Sequence, residues 1–205
     1  VPITYKDKSM VHGLQWAIGL EWYLLMNDPW RVAMSTDHPN GGSFMAYPEI
    51  ISLLMSKAKR EEVLDRVPAR VRERCTLSDI DREYTMNEIA IITRAAPAKM
   101  LGLKNKGHLG AGADGDVTIY NPDDDIQLMF ELPRYVISKG DVIVEDTELR
   151  MDTRGKTLHV EPTFDEDALP AIKDWFEQYY TIRFRNYPVD AHYLQNPELI
   201  DCDND

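Results

Sequence analysis

A chain of 205 residues, 43% of them hydrophobic, can bury a core, and this composition excludes a disordered protein. Its 35 acidic and 23 basic residues give a net charge of -12, which repels phosphate backbones and anionic lipid, so no nucleic acid is expected as a partner. No run of about 18 apolar residues occurs, so no membrane span is predicted. The two cysteines lie far apart and outside any metal-binding spacing, which favours a reducing, cytoplasmic location.

The first predicted elements are a helix, a short strand, a loop and a second helix. Apolar residues recur at three- and four-residue steps over residues 9–27, which predicts a helix that is buried on most sides. The alternation of Val32 and Met34 then predicts a short buried strand over residues 30–36. After the loop, a second helical pattern covers residues 48–67. This order forms one unit of an α/β layer, in which the loop leaves the carboxyl end of the strand.

A third helix is predicted to begin after Thr85. Glu88 follows three residues later, which is the spacing of a capping box. Pro97 is expected to interrupt or kink this helix near its end, because proline lacks the N–H that the helical ladder needs. Gly102 then offers a left-handed position at which the helix can end.

From residue 107 onward the pattern changes from helices to strands. The stretch "DVTIYNP" predicts one strand, "YVISKGDVIVEDTEL" predicts a hairpin that turns at residues 139–141, and "KTLHV" is a possible fourth strand. A helix is predicted after Asp165, followed by an acidic tail that frays. The predicted divisions of the chain are 1–106 (last barrel strand and flanking helices), 107–160 (small β region) and 161–205 (helix and tail).

The loop "STDHPNGG" carries the candidate functional residues. Asp37 directly follows the predicted strand, at the end where α/β enzymes place metal ligands and proton-transferring groups. A carboxylate there can ligate a divalent ion and accept a proton from bound water. His38 and Asn40 are candidate substrate-binding residues because they neighbour Asp37. Alternatively, Asp37 only caps a turn with Pro39 and Asn40, as Asx turns commonly do.

Three stretches together resemble the amidohydrolase superfamily. "VAMSTDHP" is similar to the final barrel strand with its aspartate, and "YTMNEIAIITRAAPAKMLGL" to a characteristic helix, with Ala96 in place of the usual asparagine. "KGHLGAGADGDVTIYNP" is similar to the turn and strand that open a small β-sandwich, with Gly115 where alanine is common. The resemblance implies an α/β plus small β fold, the C-terminal portion of an amidohydrolase-type (β/α)8 barrel with part of a composite β-sandwich. A complete barrel needs about 250 residues, so a longer protein is expected.

Within that superfamily, "HGLQWAIGLEWYLLMNDPWRVAMSTDHPNGGSF" resembles the amidohydrolase-type subunits of formylmethanofuran dehydrogenases and of formyltransferase/hydrolase complexes. The resemblance implies reversible condensation of formate with methanofuran at a dinuclear site of zinc or a similar divalent metal. Asp37 would be a metal ligand and the proton carrier. It also implies a multi-subunit complex, with molybdopterin or tungstopterin in a partner subunit.

The family's other metal ligands, an HxH pair, a carboxylated lysine and two further histidines, belong to earlier barrel strands and do not occur here. The chain alone is therefore expected to be inactive and to bind no stoichiometric zinc. Three functions stay open. The first is a dehydrogenase subunit of one-carbon metabolism or methanogenesis, and the second is a formylmethanofuran hydrolase subunit of methylotrophs. The third is a non-catalytic fragment with an assembly role, whose acidic, aromatic C-terminus docks neighbouring subunits.

Overall fold

The computed structural model describes residues 3–160, 163–187 and 191–200. The chain separates into two compact units, Val1–Asp152 and Thr153–Asp205. The three-part division and the barrel that the sequence suggests stay predictions about the complete protein. In the described part of the chain, no helix is both long enough and apolar enough to cross a membrane.

The helices are α1 (Met10–Leu25), α2 (Tyr47–Met55), α3 (Lys57–Leu64), α4 (Ala69–Arg72), α5 (Met86–Ala90), α6 (Ala96–Met100), α7 (Ile126–Glu131) and α8 (Leu169–Tyr179). The strands are β1 (Val117–Tyr120), β2 (Pro133–Ser138), β3 (Asp141–Glu145), β4 (Glu148–Leu149), β5 (Thr157–Val160) and β6 (Pro197–Ile200). Single turns of 3-10 helix cover Pro29–Arg31, Phe44–Ala46, Leu77–Asp79, Glu166–Ala168, Phe184–Asn186 and Ala191–Tyr193, and a π-helical turn covers Ile91–Ala95.

Helix α1 forms where the sequence predicts it, but only one of its faces is buried. The side chain of Ser9 caps the helix by accepting a hydrogen bond from the His12 N–H. The buried face consists of Gly13, Ala17, Leu20 and Leu24. The opposite face carries the exposed side chains of Val11, Ile18, Trp22 and Leu25. The prediction that α1 is buried on most sides is therefore wrong for the described residues. No described element covers the face that carries these four exposed side chains.

The segment after α1 is extended but does not form the predicted strand. A strand pairs its backbone groups with those of a neighbouring strand. Here the Met34 N–H instead donates to the carbonyl of Ile92 in the π-helical turn, at 2.9 Å. The Met34 carbonyl accepts from the Tyr47 hydroxyl at 3.4 Å. The Met34 side chain is buried in the core, so the apolar pattern correctly predicts burial although the strand is wrong.

The second predicted helix is divided into two. Helix α2 ends at Met55, and Ser56 adopts an extended conformation, with φ -139° and ψ 113°. The Ser56 hydroxyl then accepts from the Lys59 N–H at 3.2 Å and so caps α3. A serine within an apolar helical pattern can therefore start a new helix, which periodicity alone does not show.

Arg60 on α3 is fully buried and ties three segments together. Its guanidinium donates to the carbonyls of Leu53, Ile80 and Arg82 at 2.8, 3.1 and 2.9 Å. Burial lowers the pKa of this guanidinium, and the nearby Glu83 opposes that effect. The charge is tolerated because backbone carbonyls replace much of the water that it loses on folding. This interaction has no sequence signature, because its partners lie up to 22 residues away.

The third helix begins with the predicted capping box. The Glu88 N–H donates to Thr85 Oγ1 at 3.2 Å, and the Thr85 N–H donates to the Glu88 carboxylate at 2.8 Å. The helix then widens into the π-helical turn before Pro97, which lies in the first turn of α6, where a missing N–H costs little. Gly102 follows with φ 68°, as its predicted role at the helix end requires.

Strands β1 to β4 form an antiparallel sheet in that order. The predicted hairpin between β2 and β3 is present, and Lys139 and Gly140 at its turn have φ values of 54° and 89°. The predicted strand "KTLHV" is present as β5, but it does not join this sheet as a fourth strand. Strand β4 takes that position, because the chain turns back directly after β3 through Asp146 and Thr147.

In the second unit, β5 pairs in parallel with β6. The predicted helix after Asp165 is present as α8, after a turn of 3-10 helix that the Asp165 side chain caps. The predicted frayed tail is wrong for residues 197–200, which form β6, because "KTLHV" supplies a pairing edge for them. The last residues of that predicted tail, 201–205, lie outside the described residues.

Candidate functional site

The backbone at the candidate loop reverses direction directly after Thr36. Asp37 has φ 51°, a left-handed conformation that aspartate adopts more readily than most residues. Its carbonyl accepts a hydrogen bond from the Gly41 N–H at 2.8 Å, which closes a five-residue turn. The Asp37 N–H donates to the Ser35 hydroxyl at 3.3 Å. The peptide bond between His38 and Pro39 within this turn is cis. The turn thus determines where the Asp37 side chain leaves the backbone.

The Asp37 side chain is exposed at the end of the extended segment. Among the residues that the structure describes, no hydrogen bond or ion pair to its carboxylate is found. Its location directly after the extended segment agrees with the prediction, whereas the strand itself is absent. A carboxylate that is not engaged by a neighbouring cation can accept a proton or bind a ligand. Its predicted catalytic role and its predicted role as a metal ligand stay predictions.

The His38 ring is held by Phe44. Its Nδ1 accepts from the Phe44 backbone N–H at 3.4 Å, and the two rings meet edge to face with centroids 4.6 Å apart. A neutral imidazole has one donor and one acceptor nitrogen, so Nε2 carries the hydrogen when Nδ1 accepts. His38 therefore presents an N–H donor at the exposed loop. The sequence did not indicate Phe44 as its partner, because the contact depends on how the loop folds.

Asn40 is tied to the N-terminal segment through its backbone. Its carbonyl accepts a hydrogen bond from the Ile3 N–H at 3.0 Å, while the residue itself is exposed. This contact leaves the Asn40 side chain accessible, and its predicted role in substrate binding stays a prediction. The sequence could not indicate the contact, since a backbone hydrogen bond can form with almost any residue type.

A second cluster of charges lies in the turn before β1. The Lys106 ammonium donates to the carboxylates of Asp114 and Asp116 at 2.7 and 2.6 Å. These hydrogen bonds raise the pKa of Lys106. The hydrogen bond from Lys106, followed by that from the Lys139 backbone N–H, lowers the pKa of Asp116. Asp114 is thus engaged within the turn, and Asp116 joins the turn to the hairpin, which favours a structural role for this cluster.

Two further features limit what the described residues can do by themselves. No group of three or more histidine, cysteine, aspartate or glutamate side chains within ranges 3–160, 163–187 and 191–200 could hold a metal ion. A large cleft of about 1030 Å³ lies between the α5–α6 segment and the β1–β3 face of the sheet. Its lining is mostly apolar and does not include Asp37. The predicted site residue Asp37 therefore lies outside this cleft.

Comparison with known proteins shows which protein family this chain matches. Residues 1–144 match the amidohydrolase family. The chain is 40% identical to protein FwdA of Methanocaldococcus jannaschii over 215 residues, which covers 99% of this chain and 38% of that protein. It is 45% identical to FhcA of the formyltransferase/hydrolase complex of Methylorubrum extorquens over 184 residues, covering 90% of this chain and 33% of that protein. The chain thus spans less than two fifths of the length of these relatives.

A solved structure shows the same similarity in three dimensions. The crystal structure of the formyltransferase/hydrolase complex FhcABCD from Methylorubrum extorquens, in complex with methylofuran, contains a chain that superimposes with a TM-score of 0.79 at 38% identity. The match covers 98% of this chain and 38% of that chain. The sequence-based resemblance to the amidohydrolase-type subunits of these complexes is confirmed.

Proposed function

This chain belongs to the amidohydrolase family, and from that premise we propose that the complete protein makes or hydrolyses the formyl amide of a methanofuran-type amine. The observation that carries the proposal is the homology to FwdA and to FhcA, which covers 99% and 90% of this chain. The solved complex contains methylofuran, and we propose a substrate of that class here. Formate is the proposed acid component of the amide.

In this proposal, Asp37 moves the proton that the amide reaction requires. In hydrolysis its carboxylate accepts a proton from water while the water oxygen attacks the formyl carbon. The C–N bond then breaks, and Asp37 delivers the proton to the leaving amine, which yields formate and free amine. In synthesis it takes the proton from the attacking amine and returns it to the departing hydroxide. The exposed, unengaged carboxylate supports this role.

A dinuclear zinc or similar divalent metal site is proposed only for the complete protein. Such a site would polarise the formyl oxygen and activate water. The described residues do not complete it, because they supply the Asp37 carboxylate without two further ligands nearby. The proposed proton transfers therefore use the Asp37 carboxylate alone. The other ligands would come from parts of the protein outside these residues.

His38 and Asn40 are proposed to contact the substrate. The His38 Nε2–H can donate to an oxygen of the formyl group or of formate, since Nδ1 is already engaged by Phe44. Asn40 offers an exposed amide that can either donate or accept. Both residues lie in the same turn as Asp37, which supports a shared site.

We propose further that the protein works in a multi-subunit complex, since FhcA belongs to one. In a dehydrogenase, reduction of carbon dioxide would belong to a partner subunit with molybdopterin or tungstopterin. In the alternative hydrolase complex, no redox partner is needed and free formate is released. A purely structural role, and a cytoplasmic location, also stay predictions.

The test is Asp37→Asn in the assembled complex. We expect amide formation and hydrolysis to fall at least about a thousandfold, because an amide side chain cannot carry the proton. Reduction of carbon dioxide with artificial electron donors should stay measurable if a redox partner is present. Asp7→Asn is the matched control, since Asp7 is an exposed aspartate outside the loop. Retention of amide activity by Asp37→Asn would refute the role of Asp37.

A further inference from the structure

Gly41 lies so close to Asp37 that no side chain fits there. A Cβ on Gly41 would lie 2.9 Å from Asp37 Cβ, 3.0 Å from Asp37 Oδ2 and 3.1 Å from the carbonyl oxygen of Thr36. Asp37 Cβ and the Thr36 carbonyl oxygen do not move when a side chain changes its rotamer, so neither atom can make room for the added Cβ. An alanine at position 41 would therefore have to displace the turn itself.

Conformation is not the reason that glycine is needed at this position. The glycines with positive φ in the described chain are Gly102, Gly107, Gly112 and Gly140. Gly41 is not among them, so its backbone angles are open to other residues. The requirement is steric, and it comes mainly from Asp37. The left-handed Asp37 backbone and the hydrogen bond from the Gly41 N–H hold the two residues against each other.

We propose that Gly41 is a positioning residue for the Asp37 carboxylate. Its missing side chain lets the five-residue turn close, and the closed turn holds the carboxylate against the Gly41 backbone. This inference rests on the proposed function, because the position of the carboxylate matters for catalysis only if Asp37 carries the proton. Misplacing a catalytic group by about 1 Å can cost roughly a hundredfold in rate.

The activity test compares two adjacent glycines in the assembled full-length protein. In Gly41→Ala we expect kcat to fall about ten- to a hundredfold, while KM changes less than about twofold, because proton transfer is disturbed more than substrate binding. Gly42→Ala is the matched control. A Cβ there would lie 3.3 Å from the Thr36 carbonyl oxygen and has no close contact with Asp37, so kcat should stay within about threefold. Unchanged kcat in Gly41→Ala, or an equal loss in Gly42→Ala, would overturn the proposal.

A double-mutant cycle measured by thermal unfolding tests the contact without using activity. Asp37→Gly removes both Asp37 atoms that the new Cβ would meet, and it also suits the left-handed backbone. Gly41→Ala should therefore lower the unfolding temperature clearly in the wild-type background and much less in the Asp37→Gly background. If Gly41→Ala alone does not fold, the cycle still tests the proposal, because the double variant with Asp37→Gly must then fold.

Equal losses in both backgrounds would show that Asp37 is not what excludes a side chain at position 41. The cycle also separates this proposal from the proposed function. If Asp37→Asn keeps its amide activity, the proposed function fails, whereas the coupling between positions 37 and 41 in unfolding can still be present.

Discussion

At the scale of single residues, the groups that the candidate loop can offer to a substrate depend on which side-chain atoms already make hydrogen bonds. His38 uses Nδ1 to accept from the Phe44 backbone, which leaves Nε2–H as its donor. Asp37 uses its backbone groups to close the turn and leaves its carboxylate unengaged. The two side chains thus offer complementary groups, one hydrogen-bond donor and one proton acceptor.

This division of roles predicts different results for two amide substitutions of His38. Asparagine can place an oxygen near the position of Nδ1 and keep the bond from Phe44, but it has no donor near the position of Nε2. Glutamine can reach the position of Nε2 with its amide N–H. We expect kcat/KM for amide hydrolysis to fall about ten- to a hundredfold in His38→Asn and less than about fivefold in His38→Gln. Equal activity of the two variants would refute His38 as a donor.

At the scale of elements, side-chain hydrogen bonds join the turn before β1 to the β2–β3 hairpin. The Asp116 carboxylate accepts from Lys106 at 2.6 Å, from the Lys139 backbone N–H at 2.8 Å and from the Ser138 hydroxyl at 3.3 Å. The chain therefore attaches β1 to the hairpin through one aspartate as well as through the strand ladder.

The pKa shifts of this cluster predict how stability depends on pH. The folded pKa of Asp116 is lowered, so its contribution is present above the unfolded value of about 3.9 and is lost as pH falls through the folded value. The folded pKa of Lys106 is raised, so its contribution is present below about 10.4 and is lost as pH rises through the folded value.

Asp116→Asn tests this assignment. Because the substitution removes the charge that Lys106 and the Lys139 N–H stabilise, we expect a lower unfolding temperature at neutral pH and a weaker loss of stability on acidification. Unfolding temperatures measured from about pH 3 to 8 provide the comparison. The control is Asp141→Asn, at an exposed position on the same hairpin. If the two variants respond alike to pH, the assignment is wrong.

At the scale of the whole molecule, the buried core of the first unit is formed mainly by helices. Its buried apolar residues lie between Ala17 and Ala98. In contrast, no described residue of the sheet from Val117 to Leu149 is buried, and the side chains of Ile119 and Val142 are 42% and 39% exposed. A sheet needs a second layer over its apolar face to be stable. We therefore expect a further segment to complete this sheet in the full-length protein.

Hydrogen exchange tests this expectation. Amides from Val117 to Val144 should exchange much faster in the isolated 205-residue chain than in the full-length protein, because an uncovered sheet opens easily. The helical core, for example Leu54 and Ile92, should exchange slowly in both, since it is already buried in this chain. Slow exchange of the sheet in the isolated chain, together with a soluble monomer, would show that the sheet needs no further layer.

The features that could be predicted from the sequence depend on residues a few positions apart. The capping box at Thr85, the left-handed helix end at Gly102 and the hairpin turn at Lys139 and Gly140 are examples. Each consists of a hydrogen bond or backbone conformation within four residues, so the local sequence contains all that is needed. The location of Asp37 at the end of the extended segment could be predicted in the same way, from the apolar pattern before it, whereas its role stays a prediction.

The features that required the three-dimensional structure have partners that lie far apart in the chain. Met34 bonds to Ile92 in place of a neighbouring strand, and β5 pairs with β6 about forty residues later instead of joining the first sheet. The close packing of Gly41 against Asp37 belongs here as well, although only four residues separate them, because it depends on how the turn closes. Extended backbone has unpaired N–H and C=O groups that any suitable partner can satisfy, and packing in three dimensions selects that partner.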